Sequence, residues 1–187
     1  MAEKKNIISL TGDLASGKGT VSKILMEELK YGVYRNGEYA RKLAKEKGMS
    51  ITEFNIYVKD YPEIDKQIEN SATEYAKTHD NFIIDARLGW YAVPESFKVY
   101  LKVDIDVAAK RAFYDNERKS TENFKTIEEQ KQDMINRYNM ENERYWEVYG
   151  VRKDDMSNYD LVIDTTNLTP NQVADKIKEE YFKWQKK

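Results

Sequence analysis

The chain of 187 residues is long enough for one domain whose core needs no disulfide or structural metal. It has no Cys and one His, His79, which excludes disulfides, Cys-based zinc sites, thiol nucleophiles and histidine-built metal clusters. Lys and Arg number 31 against 33 Asp and Glu, a balance that argues against a nucleic-acid binder, and all 8 Arg fall within residues 35–152.

The first residues are charged and the apolar run after them is too short for a signal core or a membrane span, so a soluble, cytoplasmic protein is expected. Residues 6–10 read as a buried strand. A glycine-rich turn follows, then a helix over 17–30 with Val21, Ile24, Leu25 and Leu29 on one face. Residues 32–34 suggest a short second strand, and 38–47 a helix ended by Gly48. Ser50 and Glu53 form a capping-box pattern that opens a helix stopping before Pro62, and 63–77 continue as another. Residues 82–85 and 97–103 read as strands and 107–117 as a helix. After a polar break at 118–125, a second capping box at Thr126 and Glu129 opens a long helix to Tyr149. Residues 161–163 form the last strand. Thr169, Pro170 and Gln172 launch a final helix with Val173, Ile177, Tyr181 and Trp184 on its apolar face. Alternating strands and helices predict an α/β domain spanning 1–187, with a central five-stranded parallel sheet covered by helices on both faces.

The sharpest motif runs through Gly12, Asp13, Leu14, Ala15, Ser16, Gly17, Lys18, Gly19 and Thr20. Its Gly-x4-Gly-Lys spacing, between a strand and a helix, is that of a phosphate loop (Walker A). Glycines let the backbone wrap phosphate oxygens with its amides pointing inward, and the helix N-terminus adds a favourable partial charge. Lys18 would then reach the β- and γ-phosphates of ATP. The hydroxyl stands one place later than in the strict pattern, on Thr20. This Gly-Lys-Gly-Thr variant resembles the loop of adenylate kinases and related nucleoside monophosphate kinases, which implies that Thr20 touches phosphate and that magnesium is held largely through water.

A phosphate loop serves kinases, GTPase switches and motors alike. No Asn-Lys-x-Asp guanine motif is present, and the chain is too short for a ring ATPase with its own sensor domain. Transfer between two polyanions asks for positive charge over both phosphates and hardly for a base. Arg41, on the helix after the second strand, and Arg87, just past a strand's carboxyl end, are placed to grip an acceptor phosphate. The alternative for Arg41 is a solvated helix residue among Lys42, Lys45 and Lys47. Asp85 ends its strand as an acid that would order the waters of magnesium or cap the loop after it, and it stands beside the acceptor. Arg111 and Arg118 lie seven apart, as do Arg137 and Arg144, about 10.5 Å along a helix face. Two such helices would make a lid over 111–144, unless the arginines pair with neighbours such as Glu117 or Glu141. Arg35 and Arg152 read as surface residues, and Tyr39 or Tyr57 as candidates for a base pocket.

Beyond the loop, the chain resembles the cytidylate kinase-like family of short kinases. The resemblance rests on residues 12–23, on Gly37 to Ser50 with Arg41, on 60–65 (Asp-Tyr-Pro-Glu-Ile-Asp), on 85–90 (Asp-Ala-Arg-Leu-Gly-Trp), on Glu141 to Tyr145 and on 159–165. It implies a three-layer phosphate-loop fold with a nucleotide-monophosphate helical segment over 36–78, and an ATP- and Mg2+-dependent kinase acting on CMP or dCMP. Small nucleotides would be its partners, with no nucleic acid or membrane, in a monomer or a small oligomer. A kinase for another small acceptor, such as a different nucleotide or a dephosphorylated coenzyme, and a non-catalytic nucleotide-binding regulator are the alternatives. The sequence departs from the family in having Asp-Leu-Ala at 13–15 where many relatives have Pro-Pro-Gly, and Ala86 for a frequent Gly. Asp13 puts a negative charge beside the phosphate site.

Overall fold

A computed structural model describes residues 5–49, 53–54, 57–58, 60–115 and 124–186. Five strands, β1 (Ile7–Gly12), β2 (Gly32–Arg35), β3 (Phe82–Asp85), β4 (Phe97–Lys102) and β5 (Leu161–Asp164), form one sheet in the order β2-β3-β1-β4-β5. Every pairing is parallel, as the alternation of strands and helices requires. The expected α/β class and five-stranded sheet are observed.

Successive side chains leave a strand on opposite faces. Ile8, Leu10, Ile83, Val99 and Leu101 therefore face α1 (Lys18–Leu29) and, through Val173, Ile177 and Tyr181, the C-terminal helix Pro170–Gln185. Ile7, Phe82 and Ile84 face the other way, against Ala72 and Ala76 of the helix Pro62–Thr78. In chain order the helices are labelled α1, α2 (Asn36–Glu46), α3 (Pro62–Thr78), α4 (Gly89–Ala92), α5 (Ile105–Tyr114), α6 (Ile127–Tyr149) and α7 (Pro170–Gln185), and residues 53–54 and 57–58 are helical as well. The one-turn α4 has no counterpart in the sequence reading. It lies close on the sheet because Gly89 has no side chain: a Cβ there would meet Ile84 Cγ2 at 2.9 Å.

The capping patterns fare unequally. At α7 the box is complete, with the Thr169 and Gln172 side chains each bonded to the other's backbone. At α6 it is half a box. Thr126 Oγ1 accepts from Glu129 N–H, but Glu129 Oε2 accepts from Lys125 N–H in place of Thr126. The box expected at Ser50 lies outside the described residues. Two boundaries also move. β1 runs two residues past Leu10, carrying Gly12 into the sheet. α5 starts at Ile105 because the Asp104 carboxylate caps it, accepting from Asp106 and Val107 N–H, and it ends at Tyr114. The expected helix over 107–117 is therefore displaced toward its N-terminus.

β3 and β4 flank β1 on opposite sides, so the chain reverses its direction of winding beside β1. Ligands of open α/β sheets sit at such a switch point, beyond the strands' carboxyl ends. There the register aligns Leu10, Asp85 and Arg35.

Candidate active site

The loop after β1 is shaped by close approach and backbone handedness. A Cβ at Gly12 would stand 2.7 Å from the Leu101 carbonyl oxygen, so only Gly fits against β4. Gly17 precedes α1 with φ 88°, in the left-handed region that glycine enters freely. Ala15 takes φ 59° without that freedom. The loop is tied down by Asp13 N–H to Leu101 O (2.9 Å), Ser16 N–H to Asp13 O (3.2 Å) and Thr165 Oγ1 to Ser16 O (3.1 Å).

Asp13 does not present a bare charge to this loop. The Tyr100 hydroxyl donates to its Oδ1 at 2.5 Å, and Val103 N–H donates to Oδ2 at 3.0 Å. Burial, then Asp13, push the Tyr100 hydroxyl far above its ordinary value, which keeps it a donor.

Around the loop lies a cleft of about 490 Å³, lined by residues Gly12 to Thr20 and by Lys23, Arg35, Asp85, Arg87, Arg111, Asp115, Glu141 and Lys153. A second cleft, of about 700 Å³, is bordered by Arg41, Asp65, Glu69, Arg137, Arg144 and Tyr145. The two share Lys18, Arg35, Asp85, Arg87 and Glu141, so one continuous groove joins them.

At the junction Lys18 Nζ contacts Asp85 Oδ1, and Arg35 Nε lies 3.6 Å from Asp85 Oδ2. Burial, then the positive charges of Arg87 and Arg35, push the Lys18 ammonium down to about 7, against the pull of Glu141. Arg87 Nε contacts Glu141 Oε1 at 2.7 Å. Burial works against the Arg87 charge, but Glu141, with Tyr145 and Glu69, outweighs it and holds the guanidinium above its ordinary value. Leu88, Trp90 and Tyr145 pack together behind this pair, fixing the β3–α4 turn against α6.

The remaining candidates divide between the two halves of the groove. Arg111 lies on the phosphate-loop side, its Nη2 donating to the carbonyls of Thr165 (3.0 Å) and Thr166 (3.1 Å). Arg137 and Arg144 line the second cleft together, as their two-turn spacing on α6 requires. Arg144 pairs with Asp65 of α3 at 2.7 Å, a partner absent from the sequence reading. Arg118 lies outside the described residues, and α5 ends four residues short of it. Thr20 is exposed on the cleft wall, whereas the buried Ser22 hydroxyl lies 3.5 Å from Asp85 Oδ2.

Several lining residues were not anticipated. Arg35, read from the sequence as a surface residue, ends β2 beside Asp85. Neither Tyr39 nor Tyr57 lines the groove; Tyr145 does, while Tyr39 accepts from Gln67 and Tyr57 stacks on Tyr61. Glu69, 9% exposed, accepts from Asn36 Nδ2 at 2.9 Å. Burial and then the neighbouring Asp65 push its carboxyl up to about 7, against Arg144, Arg87 and the Asn36 bond. Acids among basic residues gave no pattern by which these could be found.

Residues 7–167 match the model of the cytidylate kinase-like family. The chain belongs to that family. This cytidylate kinase-like chain is 35% identical over 172 residues to a cytidylate kinase of Thermoplasma volcanium, covering 89% of this chain and 86% of that one. It is 37% identical over 180 residues to an S-adenosylmethionine-dependent nucleotide dehydratase of Lacinutrix mariniflava, covering 96% of this chain but only 36% of that protein's length. Among solved structures it is similar to the shikimate kinase of Acinetobacter baumannii in complex with shikimate, with a TM-score of 0.62 at 15% identity over 97% of this chain and 95% of that one. The last likeness is one of fold: a phosphate-loop kinase fold. No helix among the described residues is long and apolar enough to cross a membrane.

Proposed function

We propose that this chain transfers the γ-phosphoryl group of ATP to a nucleoside monophosphate, with CMP or dCMP as the preferred acceptor. The observation that carries the reading is the sharing of Lys18, Arg35, Asp85, Arg87 and Glu141 by the phosphate-loop cleft and the second cleft. Two phosphorylated ligands lying in the two halves would meet at cations already gathered there. Support for the acceptor's identity comes from the curated cytidylate kinases at 30–35% identity. The match to the dehydratase takes in only 36% of that longer protein, and only the nucleotide is common to both names.

In this reading the loop amides and Lys18 hold the β- and γ-phosphates, with Arg111 beside them. Arg41 and Arg87 hold the acceptor phosphate, and Arg137 and Arg144 cover the groove from α6. An oxygen of the ionised acceptor phosphate attacks the γ-phosphorus; that P–O bond forms as the bond to the β-phosphate oxygen breaks, and ADP leaves. The acceptor needs no base, which suits a groove without His or Cys. Positive charge fixed in advance on both sides lowers the barrier, because it needs no reorganisation as charge shifts.

Magnesium is implied with ATP. Among the described residues no three His, Cys, Asp or Glu side chains gather to cage a metal. Asp85 and the Thr20 hydroxyl, with Ser22 behind, instead offer the one carboxylate and few hydroxyls that suit an ion held mostly by phosphate oxygens and water. When bound, it would neutralise charge on the transferred phosphate.

A coupled ADP-release screen over the common monophosphates tests the proposal. CMP and dCMP are expected to give the highest kcat/KM, and absence of turnover with every pyrimidine monophosphate would overturn it. A regulator would bind ATP with no acceptor-dependent ADP release, and a kinase for another acceptor would answer to a different monophosphate or only outside the nucleotide panel.

A further inference from the structure

Lys153 has no part in the mechanism above, yet it lines the phosphate-loop cleft and is only 2% exposed. Lysines are almost never buried to this degree without a partner. Its partner is Glu141: Lys153 Nζ donates to Oε2 at 2.5 Å while Arg87 Nε contacts Oε1 of the same carboxylate at 2.7 Å. The lysine also sits 4.8 Å from the centre of the Tyr138 ring.

The chain is built to bring it there. Gly150, with φ 65°, ends α6 in the left-handed conformation and turns the chain back along the helix, so that residue 153 reaches residue 141. The returning segment is fastened from outside, Tyr159 Oη donating to Lys153 O at 2.8 Å and Asn158 Nδ2 to Arg152 O at 3.2 Å.

We propose that Lys153 is a positioning residue for the acceptor half of the groove, acting on Arg87 through the carboxylate the two cations share; this rests on the kinase reading above. Alone with Arg87, Glu141 would fix the guanidinium but cancel its charge. With Lys153 on its other oxygen, the cluster of three carries a net single positive charge while Arg87 stays fixed. With Arg87 Nε on Glu141, the Nη1–Nη2 edge is the one that would take a phosphate. Lys153 thus separates two tasks that one carboxylate would set against each other, orienting the arginine and keeping the site cationic.

The test is steady-state kinetics, with CMP and ATP varied separately, on Lys153→Met, Lys153→Arg, Glu141→Gln and the double variant Lys153→Met/Glu141→Gln. Lys153→Met is expected to raise KM for CMP at least tenfold while KM for ATP stays within twofold. Lys153→Arg should return the CMP value to within threefold of the parent. The double variant restores the net charge of the parent cluster and should recover part of the loss, which a purely structural role would not do. Where Lys153→Met does not fold, Lys153→Gln, which keeps a donor toward Glu141, carries the same comparison. An unchanged KM for CMP, a parallel rise in both KM values, or a double variant worse than Lys153→Met would each overturn the proposal. A parent chain that turns over no monophosphate would overturn the kinase reading and this inference together, whereas an active parent with indifferent Lys153 variants overturns this inference alone.

Discussion

The Tyr100 hydroxyl, on β4, holds the carboxylate of Asp13, the one acid of the phosphate loop, at 2.5 Å. That bond and the one from Val103 N–H engage both oxygens of Asp13, so the acid anchors the loop to the sheet. Removing the hydroxyl leaves one oxygen without its donor at a cost of about 1–3 kcal/mol. Tyr100→Phe is therefore expected to raise KM for ATP by roughly three- to tenfold and to lower Tm by a few degrees. ATP titration and thermal melts check it; an unchanged ATP affinity would mean the anchor does not shape the loop.

Arg87 faces both halves of the groove but belongs, in the proposed reaction, to the acceptor. Arg87→Ala should lower kcat/KM for the monophosphate at least about a hundredfold while ATP affinity stays near normal, the loss of one charge-assisted phosphate contact in the transition state. Equal loss of ATP binding would place Arg87 on the donor instead.

Lys18 offers a pH signature. Its ammonium is pushed down to about 7 in the free protein, so above that pH the side chain is mostly neutral. A polyphosphate at its side restores the charge, so ATP binding takes up a proton. The expected uptake is larger at pH 8 than at pH 6. Calorimetry in buffers of different ionisation enthalpy measures it. Uptake that persists in Lys18→Met would assign the proton to another group.

Glu69 gives the opposite linkage. Its carboxyl, raised to about 7 from 4.5, keeps its proton in the folded chain after the unfolded chain has lost it. That contribution to stability is complete below the unfolded value and is lost as pH rises through 7. Glu69→Gln, which cannot ionise, should therefore gain in Tm relative to the parent between pH 5 and pH 8. A difference in Tm that is flat over this range would rule out a buried, titrating Glu69.

The sheet was legible because apolar runs at 6–10, 82–84 and 97–101 are too short for helices and are separated by long periodic stretches. Gly12, Gly17 and Lys18 were legible because phosphate chemistry demands those residue types at fixed spacing. Arg35 was not. Its place depends on β2 continuing one residue past Tyr34 and on its register with Asp85, both set by pairing with β3. Lys153 was missed for a related reason: only the turn at Gly150 brings it to Glu141. The bounds of α5 were less legible, because no strong breaker marks its end and Asp104 fixes its start two residues early. Asp65 and Glu69 could be read as helix residues, but their burial beside Arg144 and Asn36 follows from the packing of α3 on α2 and from the reach of the Arg144 side chain.

Ala15 carries a consequence of its own. An L-residue at φ 59° lies in a backbone region that costs about 1–2 kcal/mol, so residues 13–16 would not adopt this shape as a free peptide. The Asp13 anchor, the Leu101 carbonyl and the Thr165 hydroxyl impose it. In the proposed reaction the mould for a nucleotide's phosphates would thus be cast during folding, and an arriving ligand would meet amides already in place, with little ordering entropy left to lose.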